Sequence, residues 1–360
     1  MPHSGADVTR VAAPGRVNLM GDHTDYNRGL VLPMAIDRWC VITATPNGER
    51  VVRARSEQLE GAVGLDLDGV LEARTVEPSW GRFVAGAIAV LRDAGARVDG
   101  ADLVIGSTVP AGAGLSSSSA LAVALTLALA PDLDARVVAR AELALDAEVR
   151  ATGVPGGLMD QLAALASRAD HALLIDFDVL TMEHVPVPPE IAVLVVHCGR
   201  ARRLADSAYA SRRAECEAFA AQLGVPSLRA VTATQASGHR RARHVVTENA
   251  RVVATAAALR AADVAEIGRL MLESHASLRD DYDVSTPELD ELVDALVGAG
   301  AAGARLTGAG FGGCVVAVCD ADRAEPVLTR ALDAYRGATR IEPMGFVARA
   351  VDGALGGGDR

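Results

Sequence analysis

Four consecutive serines at 116–119 end the stretch VPAGAGLSSSS and lead straight into the apolar run ALAVALTLALA. Pro110 ends a strand pattern, Gly112 and Gly114 allow close backbone approach, and the serines fall in the first turn of a helix. A helix start leaves four amide N–H groups without internal partners, and the macrodipole adds positive potential there. Such a turn can hold phosphate without lysine, and this chain of 360 residues contains no lysine at all. The serine hydroxyls would add donors to phosphate oxygens or ligands for Mg²⁺. A simple capped helix after a flexible loop explains the same residues equally well.

Three other segments bear on the choice. APGRVNLMGDHTDYN, residues 13–27, gathers Arg16, Asp22, His23, Asp25 and Asn27 between apolar runs. A turn between strands could account for the cluster, yet Arg16, set between Pro-Gly and VNLM, is badly placed for a solvated charge. GVPGGLMDQ puts Asp160 at a helix start, where it either complements the dipole or does chemistry. LTGAGFGGC, read by itself, is a tight turn.

These residues need elements to hold them. CVITATPNGERVVRARS has two β-rich runs around Asn47-Gly48, which predicts a hairpin. SWGRFVAGAIAVLRDAG predicts a helix with Ser79 as N-cap, and ADLVIGSTV a strand entering the serine loop. A helix follows over 134–151, and another carries Asp160. HALLIDFD and EIAVLVVHC read as buried strands, with VPVPPE at 185–190 between them as the expected domain boundary. Further helices are expected at 205–222, 242–262 and 264–278. Thr286 caps the next one, with Pro287 at its first position. A strand, a glycine loop and a strand then precede a helix at 325–336 and a last strand near 345–351. The class is α+β, in two domains at 1–185 and 191–352, with a disordered tail at 353–360.

Composition narrows the partners. A net charge of −11 argues against nucleic acid. No stretch is apolar for long enough to span a bilayer, and the N-terminus lacks the cationic start and apolar core of a secretory signal. Five cysteines without paired spacing fit reduced thiols. The expected location is therefore cytoplasmic, with no membrane partner.

With all of these segments in order, and with SLRDDYDVSTPELDEL before the last one, the sequence closely resembles the galactokinases of the GHMP small-molecule kinase superfamily. LTGAGFGGC and the serine loop are shared across that superfamily, whereas GRVNL, HTDYN and MDQ point to the galactokinase branch. The resemblance implies a two-domain GHMP kinase fold. Its N-terminal domain has a left-handed β-α-β crossover, a rare exception to the usual hand, and its C-terminal domain is ferredoxin-like. It also implies galactose and ATP as partners, Mg²⁺ as cofactor, and a monomer or weak homo-oligomer.

Residue by residue, the resemblance makes Gly112, Gly114, Ser116, Ser117 and Ser118 the phosphate loop. Glu148 and Ser118 would hold Mg²⁺, a structural glutamate on a helix face being the alternative for Glu148. Trp80 would border the adenine, or else be a core tryptophan. Asp22, His23, Asp25, Gly157 and Tyr209 would surround the sugar, and Asp160 and Arg16 would be catalytic. Asp22 departs from the pattern, which has Glu in contact with the primary hydroxyl of the sugar. The shorter side chain predicts relaxed selectivity at carbon 6.

The activity implied is transfer of the γ-phosphoryl of ATP to the anomeric hydroxyl of galactose. A carboxylate is a weak base, so Asp160 would accept the proton late, as the new P–O bond forms. A galactose sensor without activity is the first rival, but Ser119, Ala120 and Asp160, which chemistry would need, are all present. A related kinase for another acceptor is the second, and a scaffold the third.

Overall fold

The computed structural model describes residues 8–200 and 205–355. The first half runs through β1 (Thr9–Asn18), β2 (Leu30–Val31), β3 (Pro33–Pro46), β4 (Val51–Ser56) and β5 (Ala62–Asp66). It continues through α1 (Gly81–Asp93), β6 (Ala101–Ser107), α2 (Ser117–Leu129), α3 (Val137–Thr152) and α4 (Met159–Ala166) to β7 (His171–Asp176) and β8 (Thr181–Pro186). The second half holds β9 (Ile191–His197), α5 (Ala205–Gln222), α6 (Ala233–Ala236), α7 (Arg240–Arg260), α8 (Val264–Ser277) and α9 (Pro287–Gly298). It closes with β10 (Gly303–Leu306), β11 (Cys314–Asp320), α10 (Ala324–Thr339) and β12 (Met344–Ala348).

The strands form three sheets, ordered β1-β3-β6-β4-β5, β2-β7-β8 and β10-β11-β9-β12. In the last, two strand–helix–strand passages interlock, the order of a split β-α-β unit. Thr286 caps α9 by accepting from the amide of Leu289, and Pro287 stands in its first turn, as expected.

The expected hairpin at Asn47-Gly48 does not form. The chain turns there, with Asn47 Oδ1 accepting from the amide of Glu49 at 3.0 Å. However, β6 lies between the two arms, antiparallel to β3 and parallel to β4. The amide of Asn47 donates to the carbonyl of Gly100, just ahead of β6, so the turn opens to admit a strand from far along the chain. The cap of α1 also differs, because the helix starts one residue later, after Trp80, with no side-chain cap. β8, within the stretch expected to lead into a boundary, is an extra strand paired with β7.

The tail expected to be disordered is pinned at its start. The amides of Gly353, Ala354 and Leu355 donate to the carbonyls of Ser167, Ala164 and Leu165 at 2.7, 2.8 and 3.1 Å. Residues 356–360 lie outside the described residues.

Small side chains set the packing. Helices α1 and α3 approach so closely that a β-carbon on Gly86 would stand 2.5 Å from the carbonyl oxygen of Ala147. This suits a chain with few aromatic residues. α2 is apolar nearly all round and is buried accordingly. One apolar cluster fills the first half and another the second. A third joins Leu19, Met20 and Leu32 to Val195, Val252 and Met271, and so fastens the loop after β1 to the second half. Each such side chain, fully buried, contributes about 1.5–3 kcal/mol. Among the described residues no helix is long and apolar enough to cross a membrane.

Candidate active site

A cleft of about 380 Å³ opens where the end of β1, the serine loop, the start of α4, Tyr209 and the glycine loop after β10 converge. All the predicted site residues line it except Trp80.

Arg16 reaches the cleft from a bulge in β1, where the pairing register with β3 shifts between Pro14 and Arg16. A bulge re-aims the side chain that follows it. The Arg16 amide donates to the carbonyl of Leu115, so the bulge rests on the serine loop. Its guanidinium forks onto Asp160, with Nε to Oδ1 and Nη2 to Oδ2 both at 2.7 Å. Nη1 donates to the carbonyl of Gly114 at 2.7 Å. Arg16 is only 5% exposed. This two-pronged geometry is one that lysine cannot reproduce.

The serine turn is shaped by two glycines. Gly112 and Gly114 have φ of 70° and 83°, which only glycine adopts readily. Ser116 precedes α2 but makes no side-chain cap. Its hydroxyl donates instead to Asp160 Oδ2 at 2.5 Å. The first turn of α2 thus has no capping side chain, and its Ser117 and Ser118 stand partly exposed on the cleft wall.

Opposite lie the residues of the 13–27 segment. His23 has φ of 64°, a rare backbone for a non-glycine residue. Its Nε2 lies 3.2 Å from the carbonyl of Ala309 and its Nδ1 2.9 Å from the hydroxyl of Tyr26. Tyr26 meets Tyr282 in turn at 2.8 Å. Tyr209, on α5, sets its ring 5.7 Å from that of His23. Burial pushes the Asp25 carboxyl up to about 6, against the opposing hydrogen bond from the Tyr26 amide, with the charges of Asp160 and Asp22 adding to the rise. Gly157 leaves room for that carboxylate, since a β-carbon there would overlap its Oδ2.

Comparison with known proteins settles the family. A galactokinase galactose-binding signature matches residues 3–46, the GHMP kinases N terminal domain matches 82–168, and the GHMP kinases C terminal matches 255–337. The galactokinase of Roseiflexus sp. (strain RS-1) is 46% identical over 95% of this chain and 91% of its own length. The chain belongs to the galactokinase family. The galactokinase of Bos taurus is 42% identical over 96% of this chain and 91% of its own length. The crystal structure of Lactococcus lactis galactokinase complexed with galactose matches with a TM-score of 0.89 at 31% identity, covering 96% of this chain and 94% of that one. Methanococcus jannaschii mevalonate kinase, at 19% identity and a TM-score of 0.70 over 98% of this chain and 100% of that one, shares the fold.

In this galactokinase-family chain Glu148, on α3, turns towards the serine turn. Its Oε2 accepts from Ser119 Oγ and from Gln161 Nε2, each at 2.8 Å. Burial raises its carboxyl, and hydrogen bonds from Ser118, Ser119 and Gln161 oppose the rise. A carboxylate beside hydroxyls on the cleft wall is a hard-oxygen set that fits Mg²⁺. Among the described residues no cluster of three or more His, Cys, Asp or Glu forms a metal cage. A Mg²⁺ ion sharing its shell with water and phosphate oxygens needs no such cage.

Trp80 is not brought to the cleft wall. It is 8% exposed, packed in the first-half core, with its indole N–H donating to the carbonyl of Glu60 at 3.1 Å.

Asp22 lines the cleft but is already engaged. Its Oδ2 accepts from Arg305 Nη2 at 2.6 Å and its Oδ1 from the amide of Gly308 at 3.0 Å. Burial raises its carboxyl against the pull of Arg305. Sequence reasoning missed Arg305, Tyr26, Tyr282 and Gln161. An arginine inside the otherwise apolar strand GARL was the available signal for the first.

Proposed function

We infer that this chain transfers the γ-phosphoryl group of ATP to the anomeric hydroxyl of α-D-galactose, giving α-D-galactose 1-phosphate and ADP. The observation that carries this reading is Asp160, forked by Arg16 beside an uncapped helix start and opposite the galactose-signature residues. Family membership at 46% identity over nearly the whole chain supports the acceptor.

The residues divide the work by geometry. A carboxylate offers about four lone-pair directions. Arg16 takes one on each oxygen of Asp160 and Ser116 takes a second on Oδ2. The open direction on Oδ1 is where the anomeric hydroxyl donates. As the oxygen attacks phosphorus its proton passes to Asp160, while the bond from phosphorus to the ADP oxygen breaks. Arg16 keeps Asp160 oriented and carries positive charge to the transferring group. The amides of α2 receive the phosphates, with Ser116, Ser117 and Ser118 around them. Phosphoryl transfer depends mostly on such positioning and charge stabilisation. Asp25, His23 and Tyr209 hold the sugar.

Glu148 and Ser118 are the residues that would hold Mg²⁺, which neutralises phosphate charge when bound. The five cysteines are all buried, in keeping with thiols kept in a reducing, cytoplasmic setting.

An ATP-consumption assay across galactose, glucose, N-acetylgalactosamine and arabinose, with Mg²⁺ present and withheld, tests the reading. Turnover is expected with galactose and Mg²⁺. Turnover only with another acceptor, or none, overturns it.

A further inference from the structure

The loop that carries Asp22 and His23 is shaped by charges that belong to the second half of the chain. Glu248, on α7, is fully buried. Its Oε1 accepts the amide of Gly21 at 3.0 Å, and its Oε2 accepts Arg251 Nε at 2.7 Å. Ser274 Oγ lies 2.8 and 2.9 Å from these two oxygens. Arg305, on β10 and also fully buried, stands 3.6 Å from Glu248 Oε1. Its Nη1 donates to the carbonyl of Asn18 at 3.1 Å while its Nη2 holds Asp22 Oδ2.

Gly21 shows how little freedom this leaves. It has φ of +100°, and a β-carbon there would meet the Leu30 carbonyl at 2.6 Å and Val252 at 2.9 Å. The loop thus follows a path that only glycine permits at this position, and it is held from α7 and β10. Asp22, Glu248, Arg251 and Arg305 balance as two negative and two positive charges, so removing one leaves its partner uncompensated in the interior.

We propose that Glu248 and Arg305 are positioning residues for galactose, acting through Gly21 and Asp22 on the sugar-facing loop without touching the sugar or the phosphates. The proposal rests on the reading that galactose binds beside this loop. Neither residue reaches Asp160 or the serine turn by any hydrogen bond of the described residues, so the chemical step is expected to be spared.

The test is steady-state kinetics of Glu248→Gln, Arg305→Lys and Ser274→Ala, alongside melting temperatures. Glu248→Gln puts an amide where one or other donor now points. Arg305→Lys keeps the charge but cannot span Asn18 and Asp22 together. Each is expected to raise KM for galactose by about 10-fold or more, the effect of a lost charge-assisted hydrogen bond. kcat and KM for ATP should stay within about 3-fold, inside the ordinary spread of a neutral change. Ser274→Ala removes one neutral donor from Glu248 and leaves the charges, and should raise the galactose KM by about 3-fold. Should either charged-residue variant fail to fold, Ser274→Ala decides. A galactose KM unchanged in the folded variants, or a fall in kcat at constant KM, overturns the proposal. A wild-type chain that does not turn over galactose would instead overturn the reading beneath it.

Discussion

Gly157 and Asp25 occupy one another's space: a β-carbon added to the glycine would overlap Asp25 Oδ2 and come within 2.5 Å of its Cγ. The two residues lie on separate loops that meet at the cleft wall. Glycine is required here by the carboxylate rather than by a left-handed backbone. Gly157→Ala is therefore expected to displace Asp25 and raise the galactose KM at least about 10-fold, with a fold intact by circular dichroism. An unchanged KM would remove Asp25 from the sugar site.

Asp25 also predicts a pH dependence. Burial lifts its carboxyl to about 6. A sugar hydroxyl donates best to the ionised form, so kcat/KM for galactose should fall as pH drops through about 6, by up to about tenfold per unit. The sign for stability is opposite. A carboxyl raised in the folded state adds stability as pH falls from about 6 towards the ordinary range. Acid loss of activity in that window would thus not reflect unfolding driven by Asp25. A profile flat between pH 5 and 7 (conditions set around the value of about 6) would contradict the role.

Arg16 makes three hydrogen bonds in one plane, two to Asp160 and one to Gly114. Arg16→Lys keeps the charge and loses the fork. A fall in kcat of about 10²–10³-fold is expected, the cost of losing a charge stabiliser at a reacting centre. Retained kcat with a higher KM for ATP would make Arg16 a binding residue only.

Asp22 has both carboxylate oxygens engaged, by Arg305 and by the Gly308 amide. A site built to hydrogen-bond a hydroxyl rejects the analogue lacking it by about 10⁴–10⁵. Here the carboxylate is one methylene shorter than the Glu of the pattern and is turned onto Arg305 and Gly308, so the bond is expected to be lost and kcat/KM for 6-deoxygalactose should lie within about tenfold of that for galactose. A preference for galactose of a thousandfold (about 4 kcal/mol) would show that Asp22 contacts carbon 6 after all.

What the sequence made legible follows from how local each signal is. The serine turn, the cap at Thr286 and the helix carrying Asp160 are set by residues a few positions apart, and each lies where its pattern places it. The Asn47-Gly48 turn is equally local, yet the strands beside it are parted by β6, which arrives from residues 101–107. Local turn chemistry carries no information about such an insertion. Glu248 and Arg251 have the three-residue spacing of an exposed helical ion pair, and only the packing of α7 against α8, β2 and β8 reveals them as buried.

Asp160→Asn is the most direct measurement, because amide for carboxylate keeps the shape and removes the proton acceptor. Titration calorimetry should find galactose affinity within about threefold of wild type, while kcat falls by at least about 10³-fold. A variant that keeps a tenth of wild-type kcat would show that Asp160 only braces Arg16 and that the phosphoryl transfer proceeds without it.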